Sequence, residues 1–105
     1  MVHQVALYKL RPGVTEELLE EMVRSTRSML LKVPEVMAVR SGRNLDPNAE
    51  WPFYVGLDFA TRAKQRIFMD DGAWHKFQHE IISRYTAAHL ILDYELDPGR
   101  DPRYS

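Results

Sequence analysis

The stretch HQVALYKLRPGVTEE, His3 to Glu17, decides how the chain begins to fold. Its first half is apolar and β-forming, and Pro12-Gly13 stops it, so His3 to Leu10 reads as a strand. Thr15 stands directly before Glu16 and Glu17, an N-cap followed by first-turn acids that complement the positive end of a helix. Leu18, Met22, Met29 and Val33 then recur at helical spacing, with Leu19 and Leu30 widening the stripe. Pro34 ends that helix, because it lacks the N–H that would continue it.

The same signals recur further along. EVMAVRSG reads as a second strand, and NLDPNAEWP is a polar turn centred on Asp46-Pro47. FYVGLDF, Phe53 to Phe59, alternates Phe53, Val55, Leu57 and Phe59 with Tyr54, Gly56 and Asp58, the two-residue period of a strand. Thr61 caps a short helix to about Met69. Asp70 or Asp71 caps another, carrying Trp74, Phe77, Ile81 and Tyr85. HLILDYEL, His89 to Leu96, is the fourth strand. The order βαββαβ predicts an α+β, ferredoxin-like fold with a four-stranded antiparallel sheet. One helical layer covers one face of such a sheet. Val5, Leu7, Leu90, Leu92 and Tyr94 on the other face are too apolar to stay wet, so a face-to-face homodimer is expected.

Composition narrows the functions. The chain has 105 residues, enough for one domain, and a formal net charge of -1 with its basic residues dispersed. No basic stripe marks a nucleic-acid partner, and no apolar run suits a membrane span. Cysteine is absent, which excludes disulfides and thiol chemistry. A cytoplasmic protein is the simplest expectation.

MVHQVALYKLRPGVTEE, KVPEV, SGRN and LILDYEL, in this order and spacing, resemble the stress-responsive A/B barrel domain (Dabb) family. The resemblance runs over roughly residues 2 to 96. It implies a domain over 1–97, followed by a polar tail, 98–105, expected to be flexible. It also implies that two ferredoxin-like protomers pack their sheets into a dimeric α/β barrel, in agreement with the bare apolar face. The family includes a plant polyketide cyclase that works without a cofactor, using histidines and tyrosines between sheet and helices. Its first-strand histidine falls here on Gln4, its helix-one tyrosine on Thr26, its third-strand histidine on Phe53 and its second tyrosine on Phe68. Its catalytic histidine falls on Trp74, with His75 displaced by one place. The carboxylate that orients that histidine is kept as Asp93.

The resemblance thus implies a ligand site at Gln4, Tyr8, Phe53, Phe68, Trp74 and Asp93, with the indole N–H of Trp74 bonded to Asp93. His75 and Asp93 are the catalytic candidates. His75 and His79 are spaced i, i+4, as a metal pair would be, but Lys76 stands where a zincin glutamate would follow the first histidine, and no third ligand is near in sequence. No metal is expected. No Gly-rich phosphate loop or nucleophile elbow is present, so no cofactor is expected either. Asp58 reads as a solvated or edge carboxylate, and Arg40 and Arg43 as surface arginines or an anion site at a barrel mouth. Two functions follow. One is a homodimer binding a small apolar or aromatic molecule in the sheet–helix cavity. The other is a cofactor-independent cyclase, isomerase or monooxygenase with His75 as its acid–base group.

Overall fold

The computed structural model describes residues 1–97; the expected tail, 98–105, lies outside the described residues. The order is β1 (Val2–Leu10), α1 (Glu16–Leu30), β2 (Val36–Arg43), β3 (Phe53–Phe59), α2 (Arg62–Met69), α3 (Gly72–Phe77), a π-helical turn (Gln78–Ile82), α4 (Ser83–Tyr85) and β4 (Thr86–Glu95). The sheet is antiparallel in the order β2-β3-β1-β4, the ferredoxin-like arrangement that βαββαβ predicts.

Local chemistry sets the helix starts. The Thr15 side chain accepts from the Leu18 N–H, Thr61 from Lys64 and Asp71 from Ala73, each satisfying a donor that the first turn leaves free. Of the two aspartates expected to cap α3, Asp71 does so. The buried stripe of α1 runs through Leu19, Met22, Thr26 and Leu30, while Leu18 and Met29 are only partly buried. Thr26 can lie in this stripe because its hydroxyl donates to the Met22 carbonyl at 2.7 Å.

Strand parity assigns every side chain to a face. On β1, Val2, Gln4, Ala6 and Tyr8 are buried beneath the helices, and His3, Val5 and Leu7 point to the open side. Val5 pairs with Leu92 and Gly56, and Leu7 with Leu90 and Tyr54, so the apolar residues of β1 and β4 form one patch on that side. Leu90, Leu92 and Tyr94 are 40%, 37% and 51% exposed, large apolar groups left uncovered by the protomer's own helices. β4 begins at Thr86, three residues before the expected His89. The helix ends there because the Arg11 N–H takes the Tyr85 carbonyl at 2.8 Å, a non-local bond that starts the ladder early. After Thr86, every β4 residue is exposed.

Candidate functional site

The layer between sheet and helices is built on aromatic rings. Tyr8 and Phe53, cross-strand partners, stack at 5.5 Å. Phe68 meets Phe59 at 5.1 Å and Trp74 at 5.2 Å, and Trp74 meets Phe77 at 5.8 Å. All are buried, as are Gln4 and Gln65. The helical spacing of Trp74 and Phe77 turns both inward, while His75 lies on the exposed side of the same turn. Surface grooves of about 750, 460 and 380 Å³ open elsewhere, and none of the three is lined by Tyr8, Phe53, Phe68 or Trp74.

Polar groups in this layer are unevenly satisfied. The Gln65 amide donates to Gln4 Oε1 at 2.8 Å, but Gln4 Nε2, the Tyr8 hydroxyl and Gln78 Nε2 are buried without a hydrogen-bond partner. Buried polar groups are nearly always paired, because an unpaired one forfeits its hydration. Gln78 opens the π-helical turn, whose Ser83 N–H bonds back to the Gln78 carbonyl, and such turns often re-aim side chains at sites. Burial pushes the Tyr8 phenol up to about 12, only partly offset by the neighbouring Gln78 amide.

A stability profile follows from that shift. Below pH 10 the phenol is neutral in the folded and unfolded chains alike. Between the ordinary value of 10.0 and the folded value of about 12 the unfolded chain ionises first, so stability falls as pH rises. The loss is about 3 kcal/mol, two units at roughly 1.4 kcal/mol each. Denaturant titrations at pH 9 and pH 11.5 should show about 2 kcal/mol of it, the part reached by pH 11.5, and Tyr8→Phe should remove that difference.

Asp93 does not hold the Trp74 indole as expected. Its Oδ2 accepts from Arg62 Nη1 at 3.0 Å and its Oδ1 from Gln65 Nε2 at 3.0 Å. A carboxylate prefers a guanidinium to a neutral indole donor, and Arg62 and Gln65 stand one turn apart at the start of the helix that follows β3. Trp74 instead packs between Phe68 and Phe77. Thr26, Phe53 and Phe68, at positions of cyclase side chains, are buried with no acid–base group free to offer.

The histidine that the structure brings to Tyr8 is His89, edge-on at 6.4 Å and exposed on β4. Sequence reasoning passed over it, although His89, Ile91 and Asp93 share a parity, and Asp93 was already placed on this face. His75 and His79 are both exposed, and no group of three metal-ligating side chains occurs among the described residues. Asp58 is not solvated. It is only 7% exposed and sits on the sheet's open side, bonded to His3 and Arg40. Arg43 pairs with Glu20 at 3.6 Å. No described helix is long and apolar enough to cross a membrane.

Comparison with known proteins agrees with this architecture. A Dabb family protein of ferredoxin-like fold from Mesorhizobium loti superposes with a TM-score of 0.78 at 15% identity, covering 90% of this chain and 95% of that one. A dimeric ferredoxin-like protein of unknown function from Thermobifida fusca gives 0.79 at 19% identity, covering 90% of each chain. A hydroxynitrile lyase from Passiflora edulis gives 0.78 at 13% identity, covering 95% and 96%. At such identities these likenesses concern the fold. No curated protein matches the chain. The family model for the Stress Responsive A/B Barrel Domain matches residues 2–96, nearly the whole described chain. With strand order, helix placement and sequence model in agreement, the chain belongs to the stress-responsive A/B barrel domain family.

Proposed function

We propose that this protein is a homodimer whose protomers each bind a small apolar or aromatic molecule between sheet and helices, beside Tyr8. The supporting observation is a set of buried polar groups without well-formed hydrogen bonds, Tyr8 Oη and Gln78 Nε2, which meet only loosely, and Gln4 Nε2, set among aromatic rings. Ligand sites of this kind are mostly apolar with a few convergent polar groups. A guest carrying a carbonyl or phenol oxygen satisfies these donors, and the π-helical turn that carries Gln78 is the element that yields to admit it. The similar dimeric protein from Thermobifida fusca supports the dimer.

Titration with 2-naphthol, followed by quenching of tryptophan fluorescence, tests this reading. Tyr8→Phe should weaken binding about tenfold, the equivalent of one hydrogen bond at roughly 1.4 kcal/mol. The same substitution should stabilise the free protein by about 1 kcal/mol, because it removes an unsatisfied hydroxyl. Binding unchanged in Tyr8→Phe would place the ligand elsewhere.

A second reading is a cofactor-independent acid–base enzyme. His89 beside Tyr8 favours it, since imidazole and phenol together can move a proton on a bound substrate. His89 then takes the role first given to His75, and Asp93 is retained for holding Arg62 and Gln65 in place. The hydroxynitrile lyase of the same fold is compatible with such chemistry. His89→Ala should abolish any turnover while leaving 2-naphthol binding in place, and His75→Ala should affect neither.

A further inference from the structure

The open side of the sheet carries a second constellation, separated from Tyr8 by the sheet itself. His3 on β1 faces Asp58 on β3, and Asp58 also faces Ala38 on β2. The His3 Nδ1 to Asp58 Oδ1 distance is 2.5 Å, and Arg40 Nη1 lies 3.2 Å from Asp58 Oδ2. An ionised carboxylate only accepts, so Nδ1 carries the proton and donates. That fixes the tautomer and leaves the Nε2 lone pair as a base. Nε2 has no partner among the described residues, and Arg40 is largely exposed, with guanidinium donors to spare.

Tyr54 adds a fourth group. It shares the face of Asp58, and its ring lies down over Gly56, where a Cβ would stand 2.9 Å from the phenol carbon and closer still to the hydroxyl. Only glycine leaves room for that posture. Gly56 pairs with Arg40 on one side and Val5 on the other. The phenol, the guanidinium and the Asp58–His3 pair therefore converge around one glycine. Ala38, Gly42 and Gly56 are the other residues on this half of the face, and they leave space. Val5, Leu7, Leu90 and Leu92 on the other half form an apolar ridge for a second copy to rest on.

We propose that His3, Asp58, Arg40 and Tyr54 form an acid–base site for a small carbonyl-containing carboxylic acid, closed by the second copy of the chain. This closure rests on the homodimer proposed above; the chemistry belongs to a different face from the Tyr8 site. Nε2 of His3 takes a proton from a carbon next to the carbonyl, and the C–H electron pair becomes the C=C bond of an enolate. The enolate oxygen is held by the Tyr54 hydroxyl and the free N–H groups of Arg40. His3 returns the proton to the same carbon or to a conjugated one, so the result is exchange or isomerisation with no co-reactant. Asp58 is a positioning residue: it orients the imidazole and stabilises the charge that forms on it.

Acetoacetate in D₂O is the probe, with deuterium entry at C2 followed by proton NMR and the oligomer checked by sedimentation in the same buffer. Wild-type protein should exchange the probe saturably above the buffer rate. His3→Gln should lower that rate by about 10²-fold, within the usual range for a lost general base. Asp58→Asn should lower the maximal rate more than it changes half-saturation. His79→Ala, at an exposed histidine on the helical side, should leave exchange unchanged. Should the His3 variant fail to fold, acetoacetate must still shift the imidazole ¹⁵N signals of the wild-type histidine whose Nδ1 is carboxylate-bonded. A wild-type dimer that gives neither saturable exchange nor that shift overturns this site and leaves the Tyr8 reading intact. Loss of 2-naphthol binding with exchange preserved does the reverse. Saturable exchange by a wild-type monomer overturns closure by the second copy.

Discussion

Leu92→Asp is expected to turn the proposed dimer into a monomer at micromolar concentration. Leu92 stands opposite Val5, midway along the edge strand β4 on the open face, between Leu90 and Tyr94. An obligate interface of this kind buries roughly 2,000 Å² or more in total. An aspartate there loses its hydration among apolar side chains, a cost of several kcal/mol per protomer. About 3 kcal/mol already corresponds to more than a hundredfold in Kd. Ile91→Asp is the matched control. Ile91 is adjacent in the chain and almost equally exposed, at 38% against 37%, but it points to the helix side of β4. It should leave association in place. Sedimentation velocity separates the two, and a dimeric Leu92→Asp protein would rule out face-to-face packing of the sheets.

Trp74→His is expected to cost about 3 kcal/mol, less than full truncation of a buried aromatic. At roughly 4–8 °C per kcal/mol for a domain near this size, the melting temperature should fall by about 12–24 °C. The smaller ring opens space between Phe68 and Phe77, which now sandwich the indole. It should not create a carboxylate-oriented imidazole, because both oxygens of Asp93 already accept from Arg62 and Gln65. A calorimetric scan gives the first result. The imidazole ¹⁵N shifts give the second, and an Asp93-bonded signal in the single variant would mean that the Arg62 bridge is weaker than its geometry.

The residues differ in how far they could be read without coordinates. The caps at Thr15 and Thr61 were legible because a cap is a contact between residues three apart. The face of each β1 and β4 side chain was legible too, since pleating alternates whatever the neighbouring strand does. The buried stripe of α1 was read half a face out. Thr26 looked polar by type, and only its bond to the Met22 carbonyl lets it replace Leu18 in the core.

Everything that depended on two distant segments arriving at the same place escaped that reading. Trp74 and Asp93 occupy matching family positions, yet the partner of Asp93 was decided by Arg62 and Gln65 on a different helix. Asp58 looked solvated on its own strand and became buried once β1 brought His3 beside it and β2 brought Arg40. His89 gained meaning when the register set it against Tyr8. Periodicity, caps and strand parity are properties of a chain and its nearest neighbours, so the sequence by itself determined the βαββαβ order, the helix starts and the apolar open face. Which polar group meets which is decided by strand register and helix placement, where residues far apart in sequence compete for the same few donors and acceptors. Only the tertiary structure settled that competition, leaving Tyr8 with no more than a loose contact to Gln78 and giving His3 a carboxylate.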